Sequence, residues 1–111
     1  KEVEELRFVK HHSNVEPSYW INALILKNKP IFKKEKICNY FHGKKIDLRP
    51  FFYKLTEMPT FKKFANKKTK FNLVSKELSD YGIMLPYGYD LQNNEIKAIC
   101  NLLKMYIKKN K

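Results

Sequence analysis

The chain has 111 residues and a formal charge of +12, from 23 basic and 11 acidic side chains. This length is enough for one hydrophobic core and excludes two full-sized domains. No stretch approaches the roughly 20 consecutive apolar residues that a membrane-spanning helix needs.

The positive charge is carried almost entirely by lysine, because Arg7 and Arg49 are the only arginines. Proteins that read nucleic acids favour arginine, whose planar fork forms paired hydrogen bonds with phosphates and guanine edges. A solvated lysine surface is therefore favoured, and an anion-binding face stays open as the alternative. Cys38 and Cys100 both fall on apolar helix stripes, which predicts buried thiols in a reducing, cytoplasmic compartment, and a disulfide between them stays open as the alternative.

The first half of the chain is predicted to hold a connecting segment, a strand and a helix. Residues 1–15 are charged, lack a clear period and are interpreted as the connecting segment, which places the domain at residues 16–111. Residues 19–26 (YWINALIL) form a nearly continuous apolar run, typical of a buried strand. A helical period follows, with Pro30 in its first turn and Gly43 in the left-handed position past its end.

The second half continues with residues 46–53 (IDLRPFFY), a strand that Pro50 makes an edge strand or bends. A short helix is predicted at residues 60–66, capped by Thr60, and a longer one at residues 71–81, closed by Gly82. A strand at residues 83–85 and a helix capped by Asn93 complete the order. The fold class is therefore α+β, with a small antiparallel or mixed sheet of about three strands and helices on one face.

The common catalytic and metal-binding patterns are missing from the sequence. It contains no glycine-rich phosphate loop and no HExxH or CxxC pattern. His11 and His12 are adjacent and point in different directions on a regular element, which disfavours a shared metal ion. No serine or cysteine has a convincing general base nearby in sequence. The sequence therefore nominates no catalytic and no metal-binding residue.

The segment 46–61 (IDLRPFFYKLTEMPTF) places Arg49 beside a proline and a run of aromatic residues. An arginine in that setting can pair with a carboxylate or phosphate, while Phe51, Phe52 and Tyr53 supply a wall for a sugar or base ring. The alternative is an edge strand whose arginine meets a surface acid and whose aromatic rings fill the core. The residues alone leave both interpretations open.

This segment resembles the stretch RPFFYPLHxMP of the sugar-nucleotide aminotransferases, which are pyridoxal-phosphate enzymes of the aspartate-aminotransferase fold. The flanking stretches SYWINALIL and LSDYGIMLPYGYDLQNNEIKAICNLL resemble the family in the same order, so the likeness runs from residue 18 to residue 103. Two departures stand out: Lys54 and Thr56 occupy positions where the family commonly has proline and histidine, and Tyr87 replaces a small residue.

The resemblance implies that the chain is the C-terminal small domain of a fold-type-I aminotransferase. In such enzymes pyridoxal phosphate is bound by a large domain of the same polypeptide, usually in a homodimer, so this chain alone is expected to be inactive. The implied reaction is amino transfer from glutamate, through pyridoxamine phosphate, to a 4-keto sugar on a nucleotide, for surface polysaccharide. Arg49, Phe51 and Tyr53 are the implied substrate-binding residues, and no lysine is nominated for the cofactor.

Two other functions remain as alternatives from the residues. A small basic nucleic-acid-binding module would use the lysine-rich surface, and its affinity would fall steeply with salt. A membrane-surface protein would use the basic last helix at residues 93–109, but the apolar stripe of that helix is narrow enough for an ordinary core face. Neither a membrane nor a nucleic acid is the favoured partner.

Overall fold

A computed structural model of the chain describes residues 3–27, 30–65 and 71–110. Within these ranges four strands form one antiparallel sheet in the order β1–β2–β4–β3. They are β1 (Leu6–Phe8), β2 (Ala23–Leu26), β3 (Arg49–Pro50) and β4 (Gly82–Met84). The α+β class is confirmed, and the sheet has one strand more than the sequence predicts.

The additional strand β1 lies in the stretch that the sequence analysis interpreted as a connecting segment. Leu6 is opposite Leu26 in the antiparallel pair β1–β2, and the amide of Lys27 donates to the carbonyl of Glu5 over 2.8 Å. A strand of three residues is too short to show a period, so its pairing with β2 rather than its own pattern defines it. Lys1 and Glu2 lie outside the described residues.

Three α-helices accompany the sheet: α1 (Lys34–His42), α2 (Phe71–Tyr81) and α3 (Asn93–Lys109). Shorter 3₁₀ turns occupy Pro30–Phe32, Leu55–Glu57 and Pro59–Phe64. The last of these stands where a short helix is predicted at residues 60–66, and Asn66 lies outside the described residues. No helix in the described ranges is long and apolar enough to cross a membrane.

The hydrophobic core lies between one face of the sheet and the helices α1 and α3. Leu24 and Ile83 from the sheet, Phe41 from α1 and Ile107 from α3 are all at most 1% exposed. Burying a side chain of this size contributes about 1.5–3 kcal/mol. The Tyr106 hydroxyl in α3 donates to the carbonyl of Ile31 over 3.0 Å, so this core tyrosine keeps a hydrogen-bond partner.

The opposite face of the sheet meets α2. Arg7 and Ile25 are directly opposite each other on β1 and β2 and therefore share the face that turns away from Leu24. The Arg7 guanidinium pairs with Glu77 of α2 at 2.5 Å. The helix α2 thus contacts the outer face, while α1 and α3 cover the inner one.

Glycine is required at position 82, although not for the reason that the sequence suggests. No described glycine has a positive φ, so Gly82 begins β4 in an extended conformation rather than closing α2 in the left-handed region. A Cβ at this position would collide with the carbonyl oxygen of Leu78 and lie 2.7 Å from the Cβ of Phe51. The close approach of the end of α2 and of Phe51 to this position therefore demands glycine here.

Two further predictions are wrong, one for the residue that ends α1 and one for the residue that caps α3. Gly43 is in the right-handed helical region, with φ −61°, and the left-handed residue is Lys45, with φ 61°. The helix α1 therefore turns towards β3 two residues later than predicted, with the amide of Ile46 donating to the carbonyl of Phe41 over 3.1 Å. The N-terminal cap of α3 is Gln92 rather than Asn93. The backbone amide of Gln92 donates to the Glu95 carboxylate over 2.8 Å.

The predicted strand at residues 19–26 is regular only over its second half. Tyr19 has φ 53°, in the left-handed region, and β2 begins at Ala23. Likewise the predicted strand at residues 46–53 shortens to β3, which lies at the edge of the sheet as Pro50 indicates.

Candidate functional site

Residues 49–65, called here the Arg49 segment, leave the edge of the sheet and stay largely outside the core. The amide of Phe51 donates to the carbonyl of Gly82 over 2.9 Å, the last bond of the segment to β4. The two 3₁₀ turns that follow pack chiefly on each other. Four aromatic side chains of the segment remain exposed: Phe52, Tyr53, Phe61 and Phe64. Folding therefore does not account for most of its aromatic residues.

Arg49 is held at the edge of the sheet by an exposed carboxylate. Its Nε donates to Oδ2 of Asp47 over 3.0 Å, and Oδ1 of Asp47 lies 3.4 Å from Nε2 of His42. The hydrogen bond from Arg49 holds the pKa of the Asp47 carboxyl below its usual value, and the same bond raises the pKa of Arg49. The guanidinium is 66% exposed, so water and salt screen this pair, and an incoming anion can replace Asp47.

Phe51 lies on the wall of an apolar pocket of about 670 Å³. The pocket is bounded by the connection between β1 and β2, by the start of α3 and by Phe52, whose ring tilts against that of Phe51 with centroids 5.3 Å apart. Its walls are mainly apolar and include Trp20, Leu85, Pro86, Ile96 and Ile99. This size suits a small ligand or an apolar side of a partner domain.

Tyr53 turns away from that pocket towards the first turn of α1. The Nζ of Lys34 lies 3.8 Å from the centroid of the Tyr53 ring and donates to the carbonyl of Phe51 over 3.3 Å. Lys34 is 2% exposed, whereas Tyr53 is 60% exposed. One face of the ring is therefore covered by an ammonium group, and much of the ring remains accessible.

The structure thus separates the three residues that the sequence nominates. Phe51 lines the pocket, Arg49 pairs with Asp47 outside its lining, and Tyr53 packs on Lys34. All three stay within one short stretch at the sheet edge, so they neighbour one another without converging on a single cavity.

Lys34 is a residue of this region that the sequence does not nominate, because its lysine-rich composition favours a solvated lysine surface. Its spacing to Ile37, Cys38 and Phe41, the buried residues of α1, follows the three-, four- and seven-residue steps of one helix face. That spacing could have identified Lys34 as a lysine on the buried stripe.

The two thiols have different environments, so the prediction that both are buried is wrong. Cys38 is 5% exposed, and burial raises its pKa to about 11. Cys100 is exposed and lines the apolar pocket at the start of α3. Both are free, and the described residues contain no group of three potential ligands that could hold a metal ion.

Comparison with known proteins identifies the family of the chain. The model of the DegT/DnrJ/EryC1/StrS aminotransferase family matches residues 1–104. The chain belongs to this family. The match begins before β1 and includes the whole Arg49 segment, which agrees with the resemblance that the sequence carries.

One curated member of the aminotransferase family is similar enough to compare directly. GDP-perosamine synthase of Vibrio cholerae is 34% identical over 89 residues, which are 80% of this chain and 24% of that protein. The chain therefore spans about a quarter of the length of this relative. No solved structure matches the chain.

The apolar pocket does not fit the cofactor of this aminotransferase family. Enzymes of this kind generally depend on pyridoxal phosphate, which needs a lysine for its aldehyde and charged or polar groups for its phosphate and ring nitrogen. The described residues that line the pocket include neither a lysine nor a carboxylate. Lys34, the buried lysine nearby, is engaged by Phe51 and Tyr53. No chemical step of the cofactor is therefore assigned to these residues.

The alternative functions find little support in the described residues. Both arginines pair with acids, Arg7 with Glu77 and Arg49 with Asp47. The pairing of Arg49 with a surface acid agrees with the alternative interpretation of that residue as part of an ordinary edge strand. The apolar stripe of α3, including Leu103 and Ile107, packs into the core and is not presented to a membrane surface.

Proposed function

We propose that the chain acts as the C-terminal small domain of an aminotransferase that transfers an amino group from glutamate to a 4-keto nucleotide sugar. The product would be a perosamine-type sugar for surface polysaccharide, made in the cytoplasm. Family membership and the similarity to GDP-perosamine synthase support this proposal. The observation that carries it is the Arg49 segment, which lies within the family match and keeps polar and aromatic side chains outside the core.

In this proposal pyridoxal phosphate is bound by a large domain of the same polypeptide, and the full enzyme is a homodimer. The pocket around Phe51 and Trp20 supports this separation of roles, because the described residues of its mainly apolar lining include no lysine for the aldehyde and no carboxylate for the ring nitrogen. The small domain would then close one wall of the substrate site, and the large domain would supply the cofactor and its lysine.

Arg49 is the proposed anion-binding residue of the small domain. Its bond to Asp47 is exposed and therefore contributes little to stability, so a substrate carboxylate or phosphate can take over the guanidinium. Phe51 and Tyr53 are proposed to shape the surface for the sugar or base ring beside it. Tyr53 suits this role because its ring is held on one side and is 60% exposed.

Lys54 and Thr56 are proposed to alter the substrate contacts made at the family's proline and histidine positions. Lys54 forms an ion pair with Glu57 at 3.0 Å, and its side chain is 16% exposed. This ion pair spans the first 3₁₀ turn and can help to hold it in place. Thr56 is half-buried and cannot replace a histidine in charge or reach.

The proposal is tested with the product of the complete reading frame to which this sequence belongs. The purified protein should bind pyridoxal phosphate and convert glutamate to 2-oxoglutarate when a GDP-linked 4-keto sugar is supplied. A UDP-linked 4-keto sugar serves as the matched control and should react more slowly. A frame without a cofactor-binding domain, or an enzyme that ignores both sugars, would contradict the proposal.

A further inference from the structure

The buried ammonium of Lys34 is the least expected feature of the core. Lys34 opens α1, is 2% exposed and lies on the same helix face as Phe41. Lysine is rarely buried to this extent unless its charge is compensated. Among the described residues, the partners of its Nζ are the carbonyl of Phe51 at 3.3 Å and the ring of Tyr53 at 3.8 Å, and neither of these two carries a negative charge.

Stability alone gives no reason for a lysine at this position. Removing an ammonium from water is costly, and one carbonyl and one ring compensate only part of that cost. An unbranched apolar side chain such as methionine would fill nearly the same space without a charge to desolvate. A buried polar group that does not raise stability can instead fix a unique local geometry.

Both partners of Lys34 belong to the Arg49 segment, at the point where the sheet stops guiding it. The ladder to β4 ends with the amide of Phe51, and the backbone beyond it is free of that strand. The Lys34 ammonium donates to the carbonyl of Phe51 and covers one face of the ring of Tyr53, two residues further along the chain. Lys34 therefore contacts the Arg49 segment at the point where it leaves the sheet.

We propose that Lys34 is a positioning residue, whose ammonium fixes the Phe51 carbonyl and one face of Tyr53 and so presents the accessible side of that ring to the sugar or base ring of the nucleotide-sugar substrate. This inference rests on the proposed function for the identity of the ligand. The positioning itself rests on the two contacts of the ammonium and stands without that function.

The first test follows the Tyr53 ring in the intact protein, labelled with fluorotyrosine and assigned with Tyr53→Phe. Lys34→Met should shift or broaden the Tyr53 signal, because the ring loses the charge that covers it. Lys36→Met is the matched control, since Lys36 is an exposed lysine in the same turn of α1, and it should leave the signal unchanged. A Tyr53 signal that is identical in Lys34→Met and wild type would overturn the positioning role.

The second test measures kinetics with glutamate and the GDP-linked 4-keto sugar. Lys34→Met should raise the KM for the nucleotide sugar by roughly five- to tenfold, the effect of losing one stacking surface, and leave the KM for glutamate unchanged. Lys34→Arg should restore the KM to within about twofold, because a guanidinium can also donate to a carbonyl and cover a ring. Thermal unfolding of Lys34→Met, Lys34→Arg and Lys36→Met shows whether these variants are folded.

The two tests separate the inference from the proposed function. A protein without aminotransferase activity, whose Tyr53 signal nevertheless moves in Lys34→Met, contradicts the proposed function and supports the positioning role. An active enzyme in which the signal moves but the KM for the nucleotide sugar does not change overturns the substrate part of the inference. Equal kinetics for Lys34→Met and Lys34→Arg would also overturn it.

Discussion

The core and the Arg49 segment use the same residue types in opposite ways. In the core, aromatic and aliphatic side chains such as Phe41 and Ile83 are fully buried between the sheet and the helices. In the Arg49 segment, Phe64 is 69% exposed and Tyr53 is 60% exposed, although the segment adjoins the same sheet. The core buries its apolar side chains on folding, whereas the Arg49 segment leaves most of its aromatic side chains accessible.

The difference locates function more sharply than composition does. An exposed apolar cluster costs solubility and adds little stability, so it is kept where another surface covers it. Lys34 joins the two regions, because it belongs to the buried face of α1 and contacts the Arg49 segment. The comparison therefore predicts that core substitutions change stability, whereas substitutions in the Arg49 segment change binding.

The largest contrast is expected between two identical substitutions, one in each region. Phe41→Ala should lower the free energy of unfolding by about 3–5 kcal/mol, because Phe41 is fully buried and leaves a cavity. Phe64→Ala should change it by less than about 0.5 kcal/mol, because most of that ring already faces water. Urea unfolding followed by circular dichroism measures both, and equal losses would erase the distinction between the regions.

A smaller effect is expected where the Arg49 segment meets the core at β4. Gly82→Ala should cost about 1–3 kcal/mol, because the new Cβ would collide with the carbonyl oxygen of Leu78 at the end of α2 and lie 2.7 Å from the Cβ of Phe51. Gly43→Ala is the control: its φ is −61° and its nearest neighbour for a new Cβ is 3.4 Å away, so stability should change by under about 1 kcal/mol. If both variants unfold at the same denaturant concentration, the tight packing of Gly82 against Leu78 and Phe51 is refuted.

The two cysteines report on burial through their reactivity. Iodoacetamide at pH 8 should modify the exposed Cys100 first, whereas Cys38 should react only slowly, because burial raises its pKa to about 11. Mass spectrometry of the peptides measures the two rates. Faster labelling of Cys38 than of Cys100 would contradict the packing of α1.

The raised pKa of the Cys38 thiol also predicts how the free energy of unfolding varies at alkaline pH. The unfolded Cys38 thiol loses its proton near pH 9.0, and the folded one only near pH 11. The unfolded state therefore binds fewer protons between these values, so the free energy of unfolding should fall as pH rises from 9 to 11. Cys38→Ala should weaken this dependence, and an unchanged slope in that variant would assign it to other groups.

Sequence patterns predicted the elements that local properties define and missed those that depend on distant contacts. The helix α3 and the edge position of Pro50 follow from period and from the missing amide of proline, which are local properties. The strand β1 depends on its pairing with β2, and the left-handed residue Lys45 depends on where α1 must turn to meet β3. Such features are set by distant parts of the chain.

The candidate site was predictable to the level of a segment but not to the level of its contacts. Arg49 among aromatic residues is visible in the sequence, and so is its likeness to the aminotransferases. The partners Asp47 and Lys34 emerge only from the structure, because each depends on which way a side chain turns. The spacing of Lys34 to the buried residues of α1 could have indicated a buried lysine, but the many lysines of the sequence favour a solvated surface instead.

The central claim is that the Arg49 segment binds substrate, and one pair of arginine variants tests it most directly. In the intact enzyme, Arg49→Ala is compared with Arg7→Ala, which removes the other exposed arginine, paired with Glu77 on the outer face of the sheet. With glutamate and the GDP-linked 4-keto sugar, Arg49→Ala should raise one KM by roughly tenfold or lower turnover comparably, because a charge-assisted pair is lost. Arg7→Ala should behave as wild type, whereas kinetics of Arg49→Ala that match wild type with both substrates would contradict the claim.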